Sequence, residues 1–243
     1  METEKENGLR SEESPRKKYE QELRHLSLGE RISRAMTATG EELLAFCHDP
    51  EAKVICALLR NPAFGLREAR FVAGHHCSSA GLEFLANRPL FINDDGVRRL
   101  LFRNQFTADH VFAGCFATQN LFALHNFASG YEMTEKGKGL VRRALRKKFT
   151  ESPAETCADF VVKTEGRCLK YLIGLHFKVE TSRILAHHQY TSMILVRNLL
   201  IFPGLAPEVI RGISKSAMVW KNHEFKKMIL GHSNCPSDVK KRS

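Results

Sequence analysis

The chain has 243 residues, 43% of them hydrophobic, and 37 Lys and Arg against 27 Asp and Glu leave a net charge of +10. The longest apolar stretch, Met193 to Phe202, is interrupted by Arg197 and Asn198, so no segment is expected to span a membrane. The charge excess favours an acidic partner, whether nucleic acid, an anionic lipid surface or an acidic protein, and seven singly spread cysteines without a CxxC pair read as small apolar side chains of a reducing compartment.

Residues 1–26 mix both charge signs, with Glu2, Glu4, Glu6, Glu12 and Glu13 against Arg16, Lys17 and Lys18, and offer little to bury before Leu26. A flexible tail, helical from about Pro15, is the expectation there. Met1 to Lys18 lacks an apolar core, so no secretory signal is expected and a cytoplasmic location follows. Helical periodicity begins at Leu28 with Ile32 and Met36, and continues with Leu43, Leu44 and Phe46 after a break at Thr39-Gly40.

From Asp49-Pro50 onward one phrase recurs: three apolar residues at helical spacing, a polar break, then a second apolar helix. The clearest copy runs Val54, Ala57, Leu58, Leu59, Arg60, Asn61, Pro62 and on to Phe64, Ala69 and Val72; Val97, Val141, Cys168, Leu195 and Phe225 anchor five more. The anchors are 43, 44, 27, 27 and 30 residues apart, the length of a helix pair with or without an extra helix. Units of this kind cannot bury their apolar stripes alone, so neighbours must share a core. Turn chemistry agrees with helix starts at Asp49-Pro50, Ser152-Pro153-Ala154-Glu155, Ala206-Pro207-Glu208, Cys235-Pro236-Ser237-Asp238 and Thr107-Ala108-Asp109, the second read as a capping box. No alternation long enough for a sheet appears, although Phe160-Val161-Val162 is locally β-branched. The expected fold is all-α: a right-handed solenoid of about six HEAT-like helix pairs over residues 27–239, with a basic tail at 240–243. Within it, Leu58, Leu101 and Leu145 are expected as equivalent inward positions.

Leu58-Leu59-Arg60-Asn61-Pro62, the opening Ser27-Leu28-Gly29-Glu30-Arg31-Ile32 and the later Leu101-Phe102-Arg103-Asn104 resemble a group of uncharacterised bacterial helical-repeat proteins related to HEAT and leucine-rich-repeat-variant solenoids. The resemblance covers residues 27–117 well and the remainder only through the weaker repeats, and departs where Gln105 replaces the turn proline and where Tyr171 and Asn198 replace small apolar residues. It implies a scaffold and brings no catalytic residues. HEAT-like alkylpurine DNA glycosylases form the rival class, but they use several tryptophans and an Asp in a cleft, and this chain has one Trp.

The sharpest local feature is Lys136 to Lys148, with seven basic residues in thirteen and no acid. With Val141, Ala144 and Leu145 facing inward, Arg142, Arg143, Arg146 and Lys147 share the outer surface. Together with Lys138, and with Arg98 and Arg99 following Val97 as Arg142 and Arg143 follow Val141, they form a candidate anion or nucleic-acid strip. A solvated face is the ordinary alternative. His75-His76-Cys77, Cys47-His48 and His187-His188 lack zinc-site spacing, and Cys77 between His76 and Ser78 is the one nucleophile worth naming, read as an inert turn residue. Gly137 and Gly139 lack the GKS or GKT ending of a phosphate loop. Trp220 is read as a core wedge before the last repeat. The resulting expectation is a non-enzymatic binding module for a protein partner, with no catalytic residues, metal or cofactor, and with sequence-independent nucleic-acid binding as the alternative.

Overall fold

Residues 14–130 and 133–242 are described by the computed structural model, and among them the chain forms helices and no strand. A helical segment at 14–18 runs into a π-helical turn, Tyr19–Leu23, followed by α1 (Leu28–Ala35), α2 (Gly40–Phe46), α3 (Ala52–Leu58), α4 (Leu66–His75), α5 (Ser79–Ala86), the short α6 (Pro89–Ile92), α7 (Asp95–Arg103), α8 (Asp109–Ala117) and α9 (Leu121–Ser129). Then come α10 (Glu135–Glu151), α11 (Ala154–Lys163), a 3₁₀ turn (Arg167–Tyr171), α12 (Val179–Ala186), α13 (Met193–Ile201), α14 (Pro207–Ser214), α15 (Ala217–Trp220), α16 (His223–Gly231) and α17 (Ser237–Lys240).

Two compact units divide the chain. The first takes the residues up to 118 with 130–140, and the second takes 119–129 with 141–243, so the division falls inside α10. In the first unit α1, α3 and α5 pack in succession, and α4 packs on α7. In the second, α11, α12 and α14 pack in succession, while the 3₁₀ turn, α13 and α16 form a second row. The anchors Cys168, Leu195 and Phe225 all belong to that second row, so their spacings of 27 and 30 are true row spacings. The 43-residue step from Leu58 to Leu101 is different: Leu58 stands in the α1–α3–α5 row and Leu101 in the α4–α7 pair. Leu58, Leu101 and Leu145 are nevertheless all fully buried.

Local chemistry explains the helix starts. Ser27 and Glu30 make a reciprocal capping box, the Glu30 amide donating to Ser27 Oγ at 3.3 Å and the Ser27 amide to Glu30 Oε2 at 2.8 Å. Asp94, Ser192 and Asn222 each accept from the amide three residues on and cap α7, α13 and α16. Each such cap stabilises by about 1 kcal/mol. Pro207 opens α14 as its type and position predict. Ser152 and Thr107 do otherwise: Ser152 Oγ donates to the Lys148 carbonyl and Thr107 Oγ1 to the Leu101 carbonyl, so both close the preceding helix rather than cap the next. Asp49 is not a cap either. It is fully buried and pairs with Arg31 at 2.6 Å, while its other oxygen accepts from the Glu51 amide.

A repeated side-chain device ties helix ends together. Asn61 Nδ2 donates at 2.8 Å to the carbonyls of both Ala35 and Ala38, and its Oδ1 accepts from the Ala63 amide. Asn104 does the same to Ala73, His76 and Phe106. In the second unit His232 fills the role, Nδ1 accepting from the Asn234 amide and Nε2 lying 3.2 Å from the Phe202 carbonyl. A backbone N–H can only donate, so the proton sits on Nε2.

The N-terminal expectation is corrected at two positions. Residues 1–13 lie outside the described residues, but Tyr19 and Leu23 are buried in the first unit's core, and the π-helical turn packs on α2. Their i, i+4 spacing, continued by Leu26, is a short apolar stripe hidden among charges. At the other end Ser243 lies outside the described residues, and Lys240 belongs to α17.

Candidate docking surface

An open recess of about 270 Å³ lies in the second unit between the 3₁₀ turn and α13. Leu169, Ile173, Ile201, Phe202 and Pro203 supply its apolar walls, Asn198 a polar edge, and Arg167 and Lys170 its charged groups; no carboxylate lines it. Two of these walls are conspicuously uncovered, Ile173 at 59% and Ile201 at 61% exposure.

The local sequence builds this shape. After α11 the chain turns through Glu165 (φ 50°) and Gly166 (φ 70°), both left-handed. A Cβ on Gly166 would stand 2.8 Å from the Asn198 Cβ, so glycine permits α13 to approach there. Asn198 Nδ2 then donates to the Glu165 carbonyl at 2.7 Å, and Ser192 Oγ donates to Glu165 Oε1 at 3.0 Å. The departures at Tyr171 and Asn198 therefore have a structural use. Beyond the 3₁₀ turn, Gly174 (φ 85°) turns the chain again and leaves Ile173 outward.

The basic strip meets this surface. Arg146 donates to the carbonyls of Tyr171 at 3.1 Å and Ile173 at 2.7 Å, satisfying the end of the 3₁₀ turn. Arg142 lies 5.8 Å from the Tyr171 ring centroid and Lys170 4.9 Å. Tyr171 Oη donates to the Ala128 carbonyl at 3.0 Å. Arg143 is exposed, and Lys147 is exposed with Glu151 Oε1 at 3.9 Å. The four residues expected to share one outer face thus do so unequally, because Arg146 is turned onto backbone carbonyls.

The rest of the strip lies in the first unit. Arg98 pairs with Asp95 and reaches the Ile92 carbonyl, Lys138 pairs with Glu135 at 2.8 Å, and Arg99 is exposed on α7. Lys136 pairs with Asp109 at 2.7 Å. Many of the strip's charges are already partnered within the chain.

Other candidates disperse. Among the described residues no group of three or more His, Cys, Asp or Glu is placed to hold a metal ion. His76 is buried and His75 exposed on either side of the end of α4; Cys77 is exposed in the following loop, its Sγ 3.4 Å from the His75 carbonyl. Burial pushes the Cys47 thiol up, and the Cys168 thiol up to about 11. Gly137 and Gly139 lie within α10 rather than in a loop. Trp220 corrects the core expectation: it is half-buried at the end of a four-residue helix, with Lys226 Nζ 5.2 Å and the Arg242 guanidinium 5.9 Å from its ring. A large aromatic beside a lysine and an arginine can cover their stems instead of filling a core.

Sequence reasoning missed the recess, although its signal was present. The stretch Met193–Phe202 carries more apolar residues than one inward face holds; with Leu195, Val196, Leu199 and Leu200 inward, Ile194 and Ile201 are left facing out. No described helix is long and apolar enough to cross a membrane. No family model matches the chain, and neither a curated protein nor a solved structure matches it.

Proposed function

We propose that the protein is a non-enzymatic helical-repeat module, an α-solenoid of about six helix pairs, that docks a segment of a protein partner. The observation that supports this most is the pair Ile173 and Ile201, both more than half exposed on one recess. Scattered exposed apolar residues are normal on a protein surface, whereas two that share a concavity favour a covering partner. A volume of about 270 Å³ is below the range of about 300–1,000 Å³ usual for small-molecule sites, and suits one or two anchoring side chains better than a substrate. The packing of helices in rows at intervals of 24 to 30 residues supports the repeat architecture. Nucleic-acid binding through the strip draws on fewer groups, since Arg98, Lys138 and Arg146 are engaged within the chain.

The test is an affinity capture from cells that express the protein, run with and without nuclease, comparing the native chain with Ile173→Asp and Ile201→Asp. A protein retained by the native chain and lost from both variants is the expected result. Capture that survives both substitutions moves the docking site elsewhere, and capture that vanishes with nuclease replaces a protein partner by nucleic acid.

A further inference from the structure

Resting on that docking reading, we infer that the occupant of the recess is a short amphipathic helix of an acidic protein, with large apolar residues on its docking face and carboxylates on its flank. Charge carries the first step. The two ionisable residues in the lining, Arg167 and Lys170, are both cationic, and α10 adds Arg142, 5.8 Å from the Tyr171 ring, and Arg146 on the Tyr171 and Ile173 carbonyls. Glu165, next to Gly166 of the lining, is already shared between Arg167 at 3.0 Å and Ser192 at 3.0 Å. Apolar walls inside a cationic border complement a ligand with the opposite border.

The mode of recognition follows from what the surface offers. An added strand needs a sheet edge, and the described residues hold no strand. A polyproline ligand needs exposed aromatic ridges, but Phe202 is 2% exposed and Tyr171 is half-buried with Arg142 and Lys170 over its ring. Base stacking lacks a platform for the same reason. A helix laid in the groove, with anchors at i and i+3 or i+4 meeting Ile173 and Ile201, needs neither.

The experiment uses the full chain and three fluorescein-labelled synthetic helical peptides with the same leucines at i, i+3, i+4 and i+7, flanked by Glu, Lys or Ser, plus a single-stranded oligonucleotide. Fluorescence anisotropy reads the affinities. The Glu peptide should bind at least about tenfold more tightly than the Lys peptide and weaken with salt. Lys170→Glu combined with Arg142→Glu should invert that order, and Ile201→Asp or Ile173→Ser should remove binding; these side chains are exposed, and circular dichroism verifies that each variant folds. Equal binding of all three peptides, lost in Ile201→Asp, would overturn the acidic partner and leave docking intact. No peptide binding at all would overturn both, and oligonucleotide binding indifferent to Ile201→Asp would replace the acidic helix with nucleic acid.

Discussion

Arg146 donates a 2.7 Å hydrogen bond to the main-chain oxygen of Ile173. A cation that looks, from its helical position, like part of a solvated or phosphate-binding ridge instead fastens the backbone beside an exposed apolar wall. Arg143, one helical turn away, is exposed.

The two arginines should therefore separate in a stability measurement. Arg146→Ala leaves the Tyr171 and Ile173 carbonyls without their charged donor and is expected to cost about 1–2 kcal/mol, reduced from the buried value because water can reach the site. Arg143→Ala should change stability by about 0.5 kcal/mol or less. Urea midpoints decide it: equal midpoints for the two variants would mean the Arg146 contacts contribute nothing net.

Asn61 carries the second prediction. Its amide satisfies two carbonyls and its oxygen one amide, in a position 5% exposed. Asn61→Ala orphans all three and should cost about 3 kcal/mol, since each buried group left unpaired costs about 1–3 kcal/mol and water recovers some of the loss. Asn61→Asp should be at least as damaging, because a carboxylate would face the Ala35 and Ala38 oxygens with no donor. A mild Asp variant would show that the two carbonyls do not depend on this donor. Asn104→Ala should behave like Asn61→Ala, having the same three kinds of partner.

How much of this is visible in the sequence depends on range. The helical stripes are legible because a 3.6-residue period is a property of neighbours, and the inward leucines follow from it. The row to which each helix belongs is not: the LLRN phrase at Leu58–Asn61 and its near copy at Leu101–Asn104 end helices in different rows, and the shared Asn marks a common way of closing a helix end rather than a common place in a repeat. The capping residues were misassigned where Ser152 and Thr107 found carbonyls behind them instead of amides ahead, a choice that depends on local backbone geometry. The recess is only half legible: the surplus of apolar residues on α13 is local, but Ile173 and Ile201 come from two segments brought together only by packing, through the Asn198 bond to Glu165.

Leu58→Ala, Leu101→Ala and Leu145→Ala should each cost about 2–5 kcal/mol, the sum of lost transfer energy and a residual cavity, since all three side chains are fully buried. Thermal or denaturant melts against Arg143→Ala provide the comparison. A leucine variant that matches the arginine variant would mean its site collapses without leaving a cavity.

The last prediction concerns pH. His76 is 4% exposed, its Nε2 has no hydrogen-bond partner, and the ring is packed so closely against Gly81 that a Cβ there would collide with it. Burial holds its pKa below the ordinary histidine value, and a hydrogen bond with the Asp49 backbone pulls the other way without cancelling the burial. The folded state therefore resists a proton that the unfolded chain accepts. Above the unfolded pKa, about 6.5, both states are neutral and stability is at its full value. As pH falls from there toward the depressed folded pKa, the unfolded state binds the proton first, and stability is lost at up to about 1.4 kcal/mol per pH unit for this one group. His125 and His188, also lowered by burial, add to the same slope. His76→Leu and His76→Gln should each remove one histidine's share of it, whatever they do to stability at pH 8. Urea melts at half-unit steps from pH 8 to pH 5 give the slope directly; one identical to that of the native chain in both variants would show that His76 takes up its proton in the folded state as easily as in the unfolded one, and that the packing against Gly81 loosens to admit water.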